Sequence, residues 1–308
     1  MTDHAGLVSS LRSVVVGRSR ELELVVAALA ADRHVLLEGP PGTGKSTLLR
    51  AVSSGLGIGF EFVEGNAELT PARLVGHFDP ARVLNEGYDA DVFVDGPLVT
   101  ALRDGSLLYV EEINRVPEET LNVLITVMSE GEITVPRLGR VGAAPGFRLV
   151  AAMNPFDAVG TARISGAVYD RVCRVAMSYQ SADDELAIVD RSLGGNSLDA
   201  AFRRNVVEVT RATRTHPDLR VGSSVRGAVD FAMVAGSLAS LRGAPPADPS
   251  VALDAALVAL SGRVRVREGG SRTAEEIITE IWQSVFGRTE DGSGGGKASA
   301  PTRGTNSR

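Results

Sequence analysis

The segment GPPGTGKS at residues 39–46 constrains this chain more than any other part of its sequence. It follows the apolar run 35–37 and precedes a helix-like run that begins at Thr47. This order of strand, glycine loop and helix is the context that a phosphate-binding loop requires. Glycines let successive backbone N–H groups point at phosphate oxygens, and the new helix adds its positive end. The alternative is a glycine- and proline-rich turn that binds no ligand.

Two side chains of this loop have predicted roles. Lys45 is expected to lie along the β- and γ-phosphates, and the Ser46 hydroxyl is expected to ligate Mg²⁺. Lysine occurs only at positions 45 and 297, which a codon bias explains most simply. Even so, Lys45 occupies a position where a compact ammonium group suits phosphates better than the planar fork of arginine.

Composition restricts the class of protein. The 308 residues are 44% hydrophobic and 23% charged, as in an ordinary globular protein, and the net charge of −6 argues against a body that coats nucleic acid. The single cysteine, Cys173, excludes an intramolecular disulfide and a cysteine-rich metal site, and the four histidines show no ligand spacing. Because the sequence shows neither a signal pattern nor an apolar run long enough to span a membrane, we expect a cytoplasmic protein without a membrane span.

The pattern of predicted elements divides the chain. Strands alternate with helices as far as about residue 180, and helices alone follow, which predicts an α/β domain with a helical appendage. Residues 79–95 are interpreted as two short strands about a turn at 85–87, and residues 132–141 as a hairpin. The predicted boundaries are a lead-in at 1–18, a core at 19–180 with an insertion at about 66–97, a helical domain at 181–287 and a disordered tail at 288–308.

A second group of polar residues completes the predicted site. The buried run 106–111 ends with Glu111, and Glu112 follows it directly, about 65 residues after the phosphate loop. Ligands of parallel sheets bind outside the carboxyl ends of the strands, so this pair should face the nucleotide. One carboxylate is expected to hold the water shell of Mg²⁺ and the other to orient the attacking water. The alternative is two solvated glutamates at an exposed strand end.

These motifs resemble the AAA+ ATPases, and within them the MoxR group that includes the CbbQ/NorQ-type proteins. The resemblance covers roughly residues 15 to 285. It implies a P-loop AAA+ core, with a parallel sheet flanked by helices, and a smaller α-helical lid domain. The segments that carry it are GPPGTGKS (39–46), the stretch from DGPLV to EGEIT (95–134), FRLVAAMNP (147–155), YDR (169–171) and GSSVRGAVDF (222–231).

The resemblance implies a role for each matching residue. Glu112 would be the catalytic carboxylate of Walker B, Asn154 sensor 1, Arg171 an arginine finger that acts on a neighbouring subunit, and Arg226 sensor 2. Ser46 would ligate Mg²⁺ with its hydroxyl, and Glu111 would hold the ion through water. The residues expected to bind ATP are Gly39, Pro40, Pro41, Gly42, Thr43, Gly44, Lys45, Ser46 and Thr47.

Alternatives remain open for the two arginines. Arg171 has Asp170 and Arg174 close by in sequence, so a structural ion pair is possible, and Arg163 is a second candidate for the finger. Arg226 would lie in a helix's first turn after Ser223 and Ser224, which are good N-caps. There it would either meet a triphosphate or pair with Asp230 at i+4.

One position departs from the family pattern. The family usually has aspartate before the catalytic glutamate, and this chain has Glu111. A longer side chain has to fold back to reach the water shell of the metal, which leaves metal affinity and hydrolysis rate open. Asn66 is a weaker candidate to restrain Glu112 when substrate is absent.

The resemblance implies an ATP-hydrolysing remodeller or chaperone that forms a homo-oligomeric ring, expected to be a hexamer. It would work with a von Willebrand factor A domain partner to activate a client enzyme or complex, and its insertion would line the pore of the ring. A nucleic-acid motor is the second hypothesis, with Arg137 and Arg140 as a local basic ring, although the acidic net charge opposes it. A nucleotide-gated switch with little turnover is the third.

Overall fold

The computed structural model describes residues 4–155, 164–195 and 198–291. The chain forms two compact units that divide between Ser181 and Ala182. Among the helices of these residues, none combines the length and the apolar composition that a bilayer crossing needs.

A parallel five-stranded sheet organises the first unit, in the order β2-β5-β8-β1-β9, and this confirms the predicted α/β fold class. The predicted hairpin at 132–141 is also confirmed, as the pair β6–β7. The strands are β1 His34–Glu38, β2 Phe60–Glu64, β3 Gly76–Phe78, β4 Phe93–Asp95, β5 Leu107–Glu111, β6 Glu132–Val135, β7 Gly139–Gly142, β8 Arg148–Met153 and β9 Val172–Ala176.

Helices cover both faces of this sheet. The helices of the first unit are α1 His4–Leu11, α2 Ser19–Ala30, α3 Lys45–Leu56, α4 Pro71–Val75, α5 Pro80–Glu86, α6 Pro97–Asp104, α7 Glu118–Glu130 and α8 Gly166–Tyr169. The predicted lead-in therefore contains a helix, α1, and its Leu11 is buried in the same apolar cluster as residues of α2 and α3.

Side chains along the central strands alternate between two apolar clusters. On β5, Leu107 and Tyr109 belong to the cluster that contains α3, whereas Leu108 and Val110 belong to the cluster that contains α6 and α7. This alternation follows from the two-residue period of a strand. It places the odd-numbered positions of β5 on the face covered by α3.

The insertion differs from its predicted form. The strands β3 and β4 pair antiparallel, but the segment between them holds the helix α5 rather than a turn between two strands, so the prediction of two strands over 79–95 is wrong. The Asp79 side chain accepts hydrogen bonds from the backbone N–H groups of Ala81 and Arg82, and Pro80 occupies the first helical position. An aspartate cap followed by proline begins a helix.

The second unit is mainly helical, as predicted. Its elements are α9 Ala182–Ser192, α10 Ala200–Ala212, β10 Leu219–Val221, α11 Val225–Arg242, α12 Pro249–Leu260, β11 Arg265–Val266 and α13 Ala274–Asp291. One apolar cluster joins all five helices, and β10 pairs antiparallel with β11. The last helix continues to Asp291, past the predicted start of the tail at 288, and residues 292–308 lie outside the described part of the chain.

Candidate nucleotide site

Sheet order brings three predicted site segments to one edge. The strands β5, β8 and β1 are neighbours, and their carboxyl ends lead into Glu111–Glu112, Asn154 and the glycine loop. The register pairs Glu38 of β1 with Met153 of β8, and the N–H of Gly39 donates to the Met153 carbonyl at 3.1 Å. The loop and Asn154 therefore leave the sheet side by side.

Glycine is required at the two ends of the loop for different reasons. A Cβ added to Gly39 would lie 2.2 Å from the carbonyl oxygen of Met177, so only glycine permits this approach to the chain that follows β9. Gly44 has φ of 84° and is the N-cap of α3, a left-handed conformation that costs other residues about 1–2 kcal/mol. The loop thus ends where the helix presents its free N–H groups.

Lys45 and Thr43 donate hydrogen bonds to backbone carbonyls of the loop itself. The ammonium group of Lys45 donates to the carbonyl oxygens of Gly39 at 2.8 Å and Pro40 at 2.9 Å, and only 8% of the residue is exposed. The Thr43 hydroxyl donates to the Pro40 carbonyl at 2.9 Å. Of the other predicted nucleotide-binding residues, Gly42 is half-buried, whereas Pro41 and Thr47 are exposed.

Ser46 and Glu111 meet across the site. The Ser46 hydroxyl lies 3.1 Å from Glu111 Oε1, to which it donates, and 3.2 Å from the Tyr109 hydroxyl. Burial raises the pKa of Tyr109, so its hydroxyl keeps its proton. The glycine loop and the acidic strand end are far apart in sequence, but the hydroxyl of Ser46 joins them through its contact with the Glu111 carboxylate.

Glu112 has an unusual backbone and a separate ion pair. Its φ of 51° and ψ of 46° are left-handed, which is uncommon for a residue other than glycine and marks local strain. Its carboxylate pairs with Arg115 Nε at 2.7 Å. Asn66 does not restrain it, because the Asn66 amide donates to the Glu64 carbonyl and accepts from the N–H of Glu68 in a local turn.

Asn154 lies directly after β8 and is half-buried. The amide of Asn114, which is 7% exposed, points to the Asn154 carbonyl oxygen at 3.5 Å. The segments that follow β5 and β8 are thus linked beside the site.

Arg18 is a buried residue that the sequence analysis did not single out. Its guanidinium group donates to the Thr43 carbonyl at 3.0 Å, the Ser178 carbonyl at 2.6 Å and the Glu21 carboxylate at 2.9 Å, and the residue is 2% exposed. It therefore ties the glycine loop to the segment after β9. The sequence offers only a weak signal, an arginine just before the Ser19 that begins α2.

Arg171 directly precedes β9 and is half-buried. Its guanidinium group donates to the Ser129 hydroxyl at 2.6 Å and to the Ala167 carbonyl at 2.9 Å. Within residues 4–155, 164–195 and 198–291 it forms no ion pair, so the proposed pairing with Asp170 is not observed. Arg163, the second finger candidate, lies outside the described residues.

Arg226 belongs to the second unit, where it is exposed in the first turn of α11. Asp230 pairs with Arg263 rather than with Arg226, so the alternative of an i+4 pair between Arg226 and Asp230 is not observed. Ser224 occupies the N-cap position, but its side chain makes no capping hydrogen bond.

A buried ion pair supports the start of that helix. The fully buried Glu185 accepts from Arg214 at 2.7 Å, and Arg214 Nε donates to the Ser223 carbonyl at 2.7 Å. A Cβ on Gly222 would lie 2.5 Å from the Arg214 backbone. The segment that precedes Arg226 is therefore fixed within its unit, by residues that no sequence pattern marked.

Comparisons with known proteins agree with this geometry. Residues 34–172 match the AAA domain family described as the dynein-related subfamily. The chain is 27% identical over 259 residues to the uncharacterized protein YeaC of Bacillus subtilis, covering 76% of this chain and 78% of that one. A protein of Staphylococcus epidermidis is 33% identical over 159 residues, and the match spans 51% of this chain and 60% of that relative.

Two solved structures show the same fold. A proposed ATPase from Cytophaga hutchinsonii superposes with a TM-score of 0.51 at 18% identity and covers 91% of this chain and 93% of its own. RuvB of Thermotoga maritima, a Holliday junction branch migration motor, gives a TM-score of 0.53 at 17% identity over 82% of this chain and 68% of its own. Residues 34–172 are thus similar to the AAA domain family, and the chain has the α/β fold of these P-loop AAA+ structures.

Proposed function

We propose that this chain binds ATP with Mg²⁺ and hydrolyses it. The contact between Ser46 Oγ and Glu111 Oε1 at 3.1 Å carries the proposal, because it joins the phosphate loop to the acidic strand end in one site. The matched AAA domain supports the same reading.

The residues present fit a magnesium ion. Mg²⁺ prefers hard oxygen ligands and keeps several waters, and the facing oxygens here are one hydroxyl and one carboxylate. Although Glu111 is longer than the usual aspartate, its carboxylate already reaches the Ser46 hydroxyl, so its length does not prevent it from serving the metal. When bound, the ion neutralises charge on the phosphate oxygens.

Other side chains have distinct tasks in this proposal. Lys45 exchanges its two loop carbonyl partners for phosphate oxygens. Glu112 leaves its ion pair with Arg115 and orients the attacking water, with the Asn154 amide as the second polar group. The half-exposed pair is weak enough to exchange, since such pairs stabilise a protein by about 0–1 kcal/mol.

At the level of the assembly, we propose a MoxR-type remodeller. AAA+ proteins commonly form rings, and a hexamer would let Arg171 act on a neighbouring subunit's nucleotide while Arg226 acts as sensor 2. A separate von Willebrand factor A domain protein would then link the ring to a client enzyme or complex. The resemblance of the motifs at 95–134, 147–155 and 222–231 to the MoxR group supports this role.

The hairpin does not favour the nucleic-acid alternative. Arg140 pairs with Glu132 on the facing strand, and Arg137 stacks on Tyr88, with its guanidinium carbon 3.7 Å from the ring centroid. Both charges are thus engaged within the chain. The similarity to RuvB, at 17% identity, is a similarity of fold and gives no support to DNA as the substrate of this chain.

Phosphate release and calorimetry test the proposal together. The wild-type protein should bind ATP with Mg²⁺ and release phosphate. Lys45→Ala should lose both properties, whereas Glu112→Gln should keep binding and lose release. Binding without measurable release in the wild type would instead support the nucleotide-gated switch, and salt-dependent DNA binding by the assembled protein would support the nucleic-acid motor. No ATP binding by folded protein would contradict every one of these functions.

A further inference from the structure

Tyr109 is a polar residue inside an apolar cluster. It is fully buried, and its ring packs against Phe60 and Phe62 of β2, with centroid distances of 5.8 and 5.7 Å. The apolar cluster to which it belongs also contains aliphatic side chains of α3, β1 and β8. Burying a hydroxyl costs free energy unless it is hydrogen-bonded, so the partner of this hydroxyl matters.

That partner belongs to the nucleotide site. Tyr109 and Glu111 are two residues apart on β5 and share the face that α3 covers, where Ser46 lies in the first turn of the helix. The Tyr109 hydroxyl is 3.2 Å from Ser46 Oγ, and Ser46 in turn donates to Glu111.

The direction of these hydrogen bonds can be assigned by counting protons. A serine hydroxyl has one proton and two lone pairs, and a carboxylate can only accept. Since Ser46 gives its proton to Glu111, the Tyr109 hydroxyl acts as a donor here, toward Ser46 Oγ at 3.2 Å and toward the Glu111 carboxylate beside it. One lone pair of Ser46 Oγ is then used, and the other remains available to a cation.

We propose that Tyr109 is a positioning residue for the magnesium side of the site. Its hydroxyl fixes the rotation of the Ser46 hydroxyl, so that the proton faces Glu111 and the remaining lone pair serves the metal. It also fixes the longer Glu111 side chain against Ser46. This inference rests on the proposed ATP- and Mg²⁺-dependent function, and it concerns only the metal-dependent part of nucleotide affinity.

The substitution Tyr109→Phe tests this, because it removes one oxygen and leaves the buried ring. ATP is titrated calorimetrically into wild-type and variant proteins, once with EDTA and once with excess Mg²⁺. Loss of a residue that orients a metal ligand commonly lowers metal affinity 10–100-fold. We therefore expect Mg²⁺ to improve ATP affinity about tenfold less in the variant than in the wild type, and affinity in EDTA to be unchanged.

Phe60→Leu is the matched control. It loosens the packing around the Tyr109 ring but removes no polar atom, so it should retain the full effect of Mg²⁺. An unchanged effect of Mg²⁺ in Tyr109→Phe would overturn the inference, and so would an equal loss of affinity in EDTA, which would indicate a change in loop shape. If the wild type binds no ATP under either condition, the proposed function itself fails, and this outcome is distinct from the other two.

Discussion

The buried cation Arg18 ties the glycine loop of this protein to the rest of the first unit. Arg18 places three donors on two backbone carbonyls and one carboxylate, and it is almost fully buried. Hydrogen bonds from charged donors stabilise more than neutral ones, and a carbonyl that loses its buried donor is costly. The planar guanidinium can reach divergent acceptors at once, which the single ammonium of lysine cannot reproduce.

We predict that Arg18→Met lowers the free energy of unfolding by about 3 kcal/mol, because it strands the Thr43 and Ser178 carbonyls. Affinity for ATP should also fall, since the loop loses its support. Arg12→Met is the control: Arg12 pairs with Glu23 at the surface, where both side chains are about half exposed, so its loss should cost less than about 1 kcal/mol.

Urea unfolding followed by far-ultraviolet circular dichroism measures this difference. The single tryptophan, Trp282, belongs to the second unit and would not report on the loop. Equal destabilisation by the two substitutions would show that Arg18 contributes no more than a surface arginine.

The sequence predicts some residues of the site and not others. Lys45, Ser46, Glu111 and Glu112 are readable because each lies in a short segment whose chemistry depends on spacing along the chain. Arg18 is not, since two of its three acceptors are backbone carbonyls 25 and 160 residues away, and any residue type supplies a carbonyl. The same holds for the contact of Tyr109 with Ser46, which depends on how α3 packs on the sheet.

At the scale of elements, the insertion shows where pattern reasoning fails. Residues 93–95 do form a strand, but its partner is Gly76–Phe78, which precedes the span assigned to the hairpin. The intervening helix begins with Asp79 and Pro80, which together form a helix-start signal in the sequence. The prediction of two strands relies instead on the turn expected at 85–87. α5 buries none of its residues, so no apolar stripe marked it as a helix.

The first strand of the sheet carries a pH-sensitive contact. His34 begins β1, and its Nδ1 accepts a hydrogen bond from the N–H of Leu149 on β8 at 2.9 Å. Burial lowers the pKa of His34 below its ordinary value. Protonation would also convert the acceptor into a donor and break this contact.

We predict that the first unit becomes less stable as the pH falls below about 6.5, the ordinary pKa of histidine. In this range the unfolded chain binds more protons than the folded one, so the free energy of unfolding rises with pH. The contribution of His34 to that free energy is complete above about pH 7.5, where the histidine is neutral in both states. Amide hydrogen exchange of β1 and β8 measures the effect. His34→Gln should flatten the profile, whereas substitution of the exposed His77 by glutamine should leave the wild-type slope. A slope that survives in His34→Gln would contradict the assignment.

At the scale of the whole molecule, the proposed trans role of Arg171 would require more than one chain. Lys45, Ser46 and Glu111 belong to a single site, but Arg171 is held by Ser129 and Ala167 and makes no contact with them among the described residues. An arginine that acts in trans contributes roughly 10³–10⁵ to turnover in related phosphoryl-transfer systems. Arg171→Ala should therefore bind ATP normally and lose almost all phosphate release.

Mixed assemblies test the trans arrangement directly. Lys45→Ala subunits keep Arg171 but should not bind ATP. Arg171→Ala subunits should bind ATP but lack the arginine. A ring made of either variant alone should therefore be inactive. When the two are co-expressed with different tags and purified on both, about a quarter of the interfaces in a randomly mixed ring combine an intact site with an intact arginine. Phosphate release should then recover to about that fraction of the wild-type rate. Assemblies shown to contain both subunits that stay inactive would contradict a trans role, because a residue acting within its own subunit cannot be complemented by a neighbour.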